Sequence, residues 1–219
     1  MKILAVGAHL DDIELACGGT LAKAIEAGHE VKAIILSHSG YTNYDGKVMR
    51  TNETAIKEGT DALHVLGISD IDILDFPNKD IQYSPETIEA LDRRMASFAP
   101  DVIFSHHPFD THQSHVGASK STISAARRKN TIFFFEPIAP SGRSYVPFKP
   151  QMYVDISSTI EKKLNALEMH VTENNKFGES WIKGVKSRAG FRGYEMGTEF
   201  AEAFEVLRCE LSFGKGVLL

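Results

Sequence analysis

Residues 3–12 read ILAVGAHLDD, an apolar run that stops at Gly7 and is followed closely by His9, Asp11 and Asp12. Buried parallel strands end in this way when the next loop carries chemistry, because the sheet fixes the backbone while the following residues face solvent. The stretch therefore predicts a first strand whose carboxyl end opens into a polar site.

Apolar runs and helical patterns alternate along the rest of the chain. The predicted strands lie at 2–7, 31–36, 71–76, 101–105, 131–135 and 152–156. The predicted helices lie at 13–27, 48–66 and 85–98, from the loop 106–115 to about 128, and from a possible capping box at Ser158 and Glu161 to about 170. The remaining segments are an exposed turn at 41–47, an ordered proline-rich flap at 136–150, a helical or irregular stretch at 172–192, and a strand or helix end at 201–208.

This alternation predicts an α/β, Rossmann-like three-layer fold with a mostly parallel central sheet. We expect residues 1–219 to form a single domain. In a sheet with strand order 3-2-1-4-5, strands 1 and 4 are neighbours and the winding direction reverses between them. The loops after these two strands, at 9–12 and 106–115, should therefore open into one crevice.

The two loops bring imidazole and carboxylate groups together, and a divalent metal accepts both as ligands. His9, Asp12 and His115 would provide two nitrogens and one carboxylate and leave a position for water, as in hydrolytic zinc sites. Asp11 would then be free to act as a general base. Taken singly, His9 would more often be a structural hydrogen-bonding residue than a ligand, and the aspartates would ordinarily be a helix cap. The second cluster in the same crevice favours the metal site.

Other residues of the crevice are weaker candidates. His38 follows the second predicted strand and could line the pocket, whereas His106 and His107 are more typical of packing or backbone hydrogen bonding. Gly18 and Gly19 each reduce helix propensity by about 1 kcal/mol relative to alanine. A close approach of the helix to the sheet or to a ligand would explain them.

The composition limits the class of partner. A formal charge of −5 and a pI near 6.0 argue against a nucleic-acid-binding protein.

The cysteines and the apolar segments indicate the compartment. Cys17 and Cys209 form no CxxC pair, which favours a reducing compartment and argues against a thiolate zinc site. The sequence shows neither an apolar run of about 20 residues nor signal-peptide features, so we expect a cytoplasmic protein with no membrane span. Apolar residues near 133–135 and at 217–219 would permit a homo-oligomer.

The motifs resemble those of the PIG-L/LmbE-like family of zinc-dependent de-N-acetylases. The first family motif, Ala-His-Pro-Asp-Asp followed by an acidic residue and Gly-Gly-Thr, is similar to residues 8–12 with Glu14 and 18–20. The second, His-Pro-Asp-His, is similar to residues 112–115, and a spaced Arg-x-x-Glu begins at Arg50. The resemblance extends over nearly the whole chain.

The resemblance implies a metal-dependent hydrolase that removes an N-acetyl group from an amino-sugar derivative, such as an N-acetylglucosamine conjugate or a sugar nucleotide. The three ligands proposed above would bind Zn²⁺, with Fe²⁺ as the alternative, and Asp11 would be the general base. His112 would polarise the amide carbonyl, and Arg50 would contact the sugar or the acetyl product. Aromatic residues at the tips of the turn and the flap, such as Tyr145, would border the mouth and stack on a sugar ring, although an exposed aromatic without function is the alternative.

The sequence departs from the family pattern at Leu10, Asn78 and Ser114. Ser114 stands where the family has an aspartate that orients the first histidine, and a hydroxyl cannot supply charge. Asp110 is a candidate to take its place. A family member with weak or lost catalysis that acts as a binding or regulatory protein is therefore the alternative function, and a nucleotide-dependent sugar transferase is a third class.

Overall fold

The computed structural model describes residues 1–129 and 131–210. The strands in these ranges are β1 (Lys2–Gly7), β2 (Glu30–Ile35), β3 (Tyr41–Thr42), β4 (Val48–Arg50), β5 (Asp70–Ile73), β6 (Val102–Ser105), β7 (Ile132–Phe135), β8 (Met152–Asp155) and β9 (Ala201–Arg208). The helices are α1 (Asp12–Glu26), α2 (Asn52–Leu66), α3 (Pro85–Phe98), α4 (Gln113–Ala125), α5 (Ile160–Glu168), α6 (Val171–Phe177) and α7 (Ser180–Met196).

Seven strands form the main sheet in the order β5-β2-β1-β6-β7-β9-β8. The first five of these are mutually parallel, and β9 runs antiparallel to both β7 and β8. Ile3 in the central strand pairs with Val31 on one side and with Val102 on the other. The predicted order 3-2-1-4-5 and the Rossmann-like α/β fold with a mostly parallel sheet are therefore confirmed.

Helices cover both faces of the sheet and complete three layers. Successive side chains of β1 enter opposite cores, because a strand alternates its faces. Ile3 and Ala5 pack in the core beneath α1, α2, α5 and α7, whereas Leu4 and Val6 pack in the core beneath α3 and α4. All four residues are fully buried. Polar chemistry can therefore begin only where the strand ends, after Gly7.

The helix predicted at 48–66 begins later than expected. Val48–Arg50 forms β4, which pairs antiparallel with β3 in a small hairpin whose tip is the predicted turn. The helix begins at Asn52, because the Thr51 side chain caps it by accepting a hydrogen bond from the N–H of Thr54 at 3.1 Å. Thr51 is a recognisable N-cap residue, but the apolar residues Val48 and Met49 before it continue the helical pattern and favour an earlier start.

The predicted capping box at the start of α5 is wrong. The helix begins at Ile160 after Thr159, and no side-chain hydrogen bond caps it. The Thr159 hydroxyl instead donates to the carbonyl of Gly19 at 2.8 Å and ties α5 to α1. The ambiguous segment 201–208 is the strand β9.

Gly19 marks a close approach of α1 to the protein itself rather than to a ligand. A Cβ atom at this position would lie 2.8 Å from Cδ1 and 2.9 Å from Cβ of Ile156. The N–H groups of Gly19 and Thr20 donate to the buried Glu202 carboxylate of β9 at 3.0 and 2.7 Å. This contact fixes the position of α1, and with it the position of the polar residues at its start.

The expectation that residues 133–135 offer an exposed apolar surface for an oligomer is wrong. They form part of β7, lie between β6 and β9, and are at most 4% exposed. Residues 217–219, the other segment considered, lie outside the described residues. Within the described ranges, no helix combines the length and the apolar character that crossing a bilayer requires.

Candidate active site

The loops that follow β1 and β6 meet at the carboxyl edge of the sheet. Together with the flap after β7 and residues of α6 and α7, they line a cavity of about 370 Å³. The predicted site residues that line it are His9, Asp11, Asp12, Arg50, His112 and His115. The two polar clusters that are far apart in the sequence are thus adjacent in space.

The three predicted ligand residues lie within a few ångströms of one another. His9 Nδ1 lies 3.2 Å from His115 Nε2 and 3.5 Å from Asp12 Oδ2, and His115 Nε2 lies 3.3 Å from Asp12 Oδ1. Tetrahedral ligands with bonds of about 2.0–2.1 Å to zinc are separated by about 3.4 Å. The two imidazoles face different oxygens of Asp12, so these three residues would share a cation only through one of those oxygens. Donor atoms of His9, His112 and His115 also lie within 4.8 Å of one another.

Asp110 orients the imidazole of His115. Its Oδ2 accepts a hydrogen bond from His115 Nδ1 at 3.0 Å, and its Oδ1 accepts one from the backbone N–H of His112 at 2.8 Å. Burial alone would lower the pKa of His115, but Asp12 and Asp110 outweigh it and raise that pKa to about 10. This position therefore favours positive charge, which a metal ion would provide in place of the proton.

A backbone carbonyl orients the imidazole of His9. His9 Nε2 lies 3.1 Å from the carbonyl oxygen of Asn78, which also accepts a hydrogen bond from the Ser114 hydroxyl at 2.9 Å. The Nδ1 atom of His9 is thereby left to face Asp12 and His115. Ser114 and His9 thus share the Asn78 carbonyl, and the Ser114 hydroxyl does not contact the ring of His112.

His106 lies closer to the site than its sequence position indicated. Its Nε2 atom is 3.0 Å from Asp12 Oδ2 and 3.0 Å from the backbone N of Ala8, and its ring stacks on His115 with centroids 4.2 Å apart. Donor atoms of Asp12, His106 and His115 lie within 4.8 Å of one another. Burial outweighs the neighbouring carboxylates and lowers the pKa of His106. His106 is therefore a buried neighbour of both Asp12 and His115.

Asp11 precedes α1 in a rare backbone conformation, with φ 154°, and its side chain makes no capping hydrogen bond. Burial, reinforced by the charge of Asp12, raises the pKa of Asp11 to about 7. A carboxylate with this pKa, beside the ligands and not needed as a cap, has the properties of a general base at neutral pH.

His112 precedes α4 and is held as a hydrogen-bond donor to the cavity. Its Nδ1 accepts a hydrogen bond from the N–H of Ser114 at 3.3 Å, and its ring lies 4.9 Å from that of His9 between centroids. Burial and the charges of His115 and His9 lower the pKa of His112 to about 4. The ring is therefore neutral, and Nε2 carries the proton that can be donated to a substrate oxygen.

Arg50 lines the cavity, but its guanidinium is committed to protein groups. Nη2 lies 3.0 Å from Glu58 Oε2 and 3.2 Å from His170 Nδ1, and Nη1 lies 3.7 Å from Glu173 Oε1. The residue is 4% exposed. These contacts hold α2 and α6 against the hairpin, and the expected contact of Arg50 with the sugar or the acetyl product stays a prediction.

Two predicted substrate contacts are not brought to the cavity lining. His38 is half-buried beside Asp75 and outside the cavity lining, with Nδ1 and Oδ1 3.2 Å apart. Tyr145 is 91% exposed and packs only loosely against Phe109, with ring centroids 6.5 Å apart. His107 does line the cavity, but its Nε2 lies 3.2 Å from Glu205, which is the structural role considered for it.

Comparison with known proteins assigns this site to a family. The family model described as PIG-L, GlcNAc-PI de-N-acetylase, matches residues 4–126, which include both polar loops. The chain belongs to the PIG-L family of deacetylases. The match covers more than half of the chain, and it contains every candidate ligand together with Asp11 and His112.

Individual PIG-L relatives extend the likeness beyond residue 126. The chain is 24% identical over 217 residues to diacetylchitobiose deacetylase of Thermococcus kodakarensis, covering 92% of this chain and 81% of that protein. It is 30% identical over 175 residues to the uncharacterised deacetylase YaiS of Escherichia coli, covering 77% and 89%. The crystal structure of the conserved protein TT1542 from Thermus thermophilus superposes with a TM-score of 0.82 at 25% identity and covers 99% of both chains.

Sequence reasoning missed one wall of this PIG-L cavity. Lys176, Phe177 and Trp181 line it from α6 and the start of α7, a region predicted only as polar and helical or irregular. The chain has a single tryptophan, and its place in a polar segment was the available signal. The role of the Asn78 carbonyl could not be predicted, because every residue offers the same backbone oxygen.

Proposed function

We propose that this PIG-L protein is a metal-dependent hydrolase that removes an N-acetyl group from an amino-sugar derivative. The observation that carries the proposal is the convergence of His9, Asp12 and His115, with nitrogen and oxygen atoms 3.2–3.5 Å apart, and the carboxylate of Asp11 beside them, which makes no capping hydrogen bond. Metal ligands next to a free carboxylate of raised pKa are the combination that amide hydrolysis by activated water requires.

The ion belongs in the three-residue site described above. When bound there, Zn²⁺, with Fe²⁺ as the alternative, would lower the pKa of a water ligand to about 7 and polarise the amide carbonyl. Both ligand histidines are already held in the required tautomer, His115 by Asp110 and His9 by the Asn78 carbonyl. Such supporting hydrogen bonds usually contribute to metal affinity.

Asp11 and His112 divide the proton transfers and the charge stabilisation. The Asp11 carboxylate accepts a proton from the attacking water as the new carbon–oxygen bond forms. His112 donates the hydrogen bond of Nε2–H to the carbonyl oxygen while that oxygen gains negative charge. The proton held by Asp11 then goes to the nitrogen as the carbon–nitrogen bond breaks, so that acetate and a free amine leave.

The cavity and the relatives support an amino-sugar substrate. A volume of about 370 Å³ lies at the small end of ligand pockets, which span about 300–1,000 Å³, and suits one sugar ring with its acetamido group. The relative from Thermococcus kodakarensis is a diacetylchitobiose deacetylase. N-acetylglucosamine and N,N'-diacetylchitobiose are therefore the first substrates to examine.

The proposal is tested by measuring acetate and free amine released from these two sugars by the zinc-loaded protein. We expect equal amounts of both products. We also expect Asp11→Asn to reduce turnover by about 10²-fold or more without loss of bound metal, because only the proton acceptor is removed. Failure of the zinc-loaded and iron-loaded proteins to release acetate from either sugar would contradict the proposal and favour the alternative of a binding protein.

A further inference from the structure

Three aromatic side chains from separate parts of the chain line the same cavity as the ligand residues. They are Tyr41 of β3, Phe177 at the end of α6 and Trp181 in the first turn of α7, and we name them the aromatic wall. Each keeps part of its surface accessible, and Phe177 is 39% exposed. Trp181 also packs against the core, but ring surface left open beside the polar ligand residues is available to bind a ligand.

The aromatic wall is held by a defined set of contacts. The Lys176 ammonium lies 4.6 Å from the ring centroid of Tyr41 and 4.5 Å from that of Phe177, so one cation joins the two rings. The rings of Phe177 and Trp181 lie 5.8 Å apart at an angle of 32°. Lys176 Nζ is also 3.2 Å from Glu173 Oε2. The wall is therefore positioned before any ligand binds.

The cations around the cavity are already paired with protein groups. Lys176 contacts Glu173, Lys79 donates to the carbonyl of Thr42 at 2.9 Å, and Arg50 contacts Glu58. These three are the lysine and arginine residues of the cavity lining among the described residues. Lys79 keeps its charge, because a carbonyl does not neutralise it, but more carboxylates than cations line the cavity and would repel a strongly anionic group. These carboxylates are those of Asp11, Asp12, Asp110, Glu136 and Glu173. The lining instead suits an uncharged ring.

We infer that the aromatic wall is the subsite that binds the pyranose ring of the substrate, and that the substrate is an uncharged N-acetylated sugar. This inference rests on the proposed function. A pyranose ring presents a face of C–H groups that packs on aromatic rings, while its hydroxyl groups stay at the edge. The wall binds the ring, and the ligand residues across the cavity act on the acetamido group that the ring carries.

Kinetics of Trp181→Ala with two substrates test the subsite. For N-acetylglucosamine we expect KM to rise about three- to tenfold with little change in kcat, since the ring contact is lost in the ground and transition states alike. For N-acetylethanolamine, an acetamide without a ring, KM should not change. The KM of Trp181→Phe for N-acetylglucosamine should stay close to that of the native protein, because phenylalanine retains an aromatic face.

Tyr194→Ala is the matched control, because Tyr194 lies on the same helix and is 83% exposed away from the cavity lining. This substitution should leave KM and kcat unchanged for both substrates. If Trp181 had only a structural role, Trp181→Ala would change the KM values for the two substrates by the same factor. That result, or equal KM values of native protein and Trp181→Ala for the sugar, would overturn the inference while leaving the proposed deacetylation intact.

A binding measurement separates the subsite from catalysis. Trp181 is the single tryptophan, so its fluorescence in the Asp11→Asn protein reports only on the wall. N-acetylglucosamine should change the emission in a saturable manner, whereas N-methylacetamide at the same concentration should not. If deacetylation fails but this change is observed, the subsite stands without the proposed function. Emission that the sugar leaves unchanged would contradict the subsite.

Discussion

Asp11 and Asp12 are neighbours in sequence but differ in electrostatic environment. Burial acts to raise the pKa of Asp12, but His115 and His106 outweigh it and hold that pKa well below its ordinary range. Among the described residues, Asp11 has no such hydrogen-bonded partner, and burial with the charge of Asp12 raises its pKa to about 7. Two carboxylates whose pKa values are driven apart can take different roles. The structure therefore supports Asp12 as ligand and Asp11 as base.

Asp110 provides a residue-scale prediction about metal affinity. Asp110→Asn removes the charge that orients His115 through Nδ1. We expect zinc affinity to fall by about 10- to 100-fold, as is typical when the partner of a ligand histidine is changed. A competition titration against a chromophoric chelator measures this directly.

Ser114→Ala is the control for that experiment. The Ser114 hydroxyl donates to the Asn78 carbonyl and to neither ligand imidazole. Its removal should leave zinc affinity close to that of the native protein. A larger loss from Ser114→Ala than from Asp110→Asn would show that the supporting role is assigned to the wrong residue.

At the residue scale, the sequence was informative where function requires particular side chains. Adjacent aspartates after a strand and paired histidines in a second loop are uncommon combinations, and the structure brings them together. Contacts between loop side chains and the substrate were not predictable in the same way. His38 and Tyr145 lie in polar or proline-rich segments, where an aromatic or imidazole side chain has many equivalent orientations.

Gly19 provides a prediction at the scale of the element. In Gly19→Ala the new Cβ would lie 2.8–3.0 Å from Ile156, so α1 or the segment after β8 must shift. We expect the protein to lose roughly 1–3 kcal/mol of unfolding free energy, measured by urea denaturation. The displacement of α1 should also reduce turnover, because this helix begins at Asp12.

Gly184→Ala in α7 is the matched helix control. A Cβ atom at Gly184 would meet nothing within 4 Å. This substitution should stabilise the protein by about 0.5–1 kcal/mol, since alanine is the better helix former. Equal changes in the free energy of unfolding for Gly19→Ala and Gly184→Ala would refute the close approach of α1 to Ile156.

The connection between α5 and α6 depends on a buried histidine. His170 Nε2 lies 3.0 Å from Glu14 Oε1, and both side chains are fully buried. Burial and the charge of Arg50, whose Nη2 lies 3.2 Å from Nδ1, act to lower the pKa of His170. The hydrogen bond and charge of Glu14, with the charge of Asp11, outweigh them and raise that pKa above the ordinary 6.5. The protonated histidine therefore stabilises the fold. This contribution is complete below pH 6.5 and is lost as pH rises through the raised value.

His170→Gln should show that dependence in urea denaturation of the metal-free protein. We expect the variant to be less stable than the native protein by about 3 kcal/mol below pH 6.5, and the difference to shrink as pH rises. His64→Gln, at an exposed position of α2, should give a small difference at every pH. A His170→Gln difference that grows with pH would contradict the assignment.

Element boundaries were less predictable than element order. Helical periodicity identified α1, α2 and α3, but the start of α2 depended on one capping threonine and the start of α5 on a contact with Gly19. The first is a local signal that competed with the apolar residues Val48 and Met49. The second is a tertiary contact, which the local sequence does not contain.

At the scale of the whole molecule, topology explains why a split motif forms one site. The reversal of winding between β1 and β6 places both polar loops at one edge of the sheet. The family match ends at residue 126, whereas the aromatic wall includes α6 and α7. We therefore expect the first part of the fold to determine the reaction and the second part to determine the substrate.

Metal titration of the chelated protein tests the central claim most directly. Acetate release from N,N'-diacetylchitobiose is measured while zinc is added to protein freed of metal. We predict that activity is absent at the start, rises in proportion to zinc and stops rising at about one equivalent per chain, while His115→Ala stays inactive throughout. Release of acetate by the metal-free protein at the rate of the zinc-loaded protein would contradict the account.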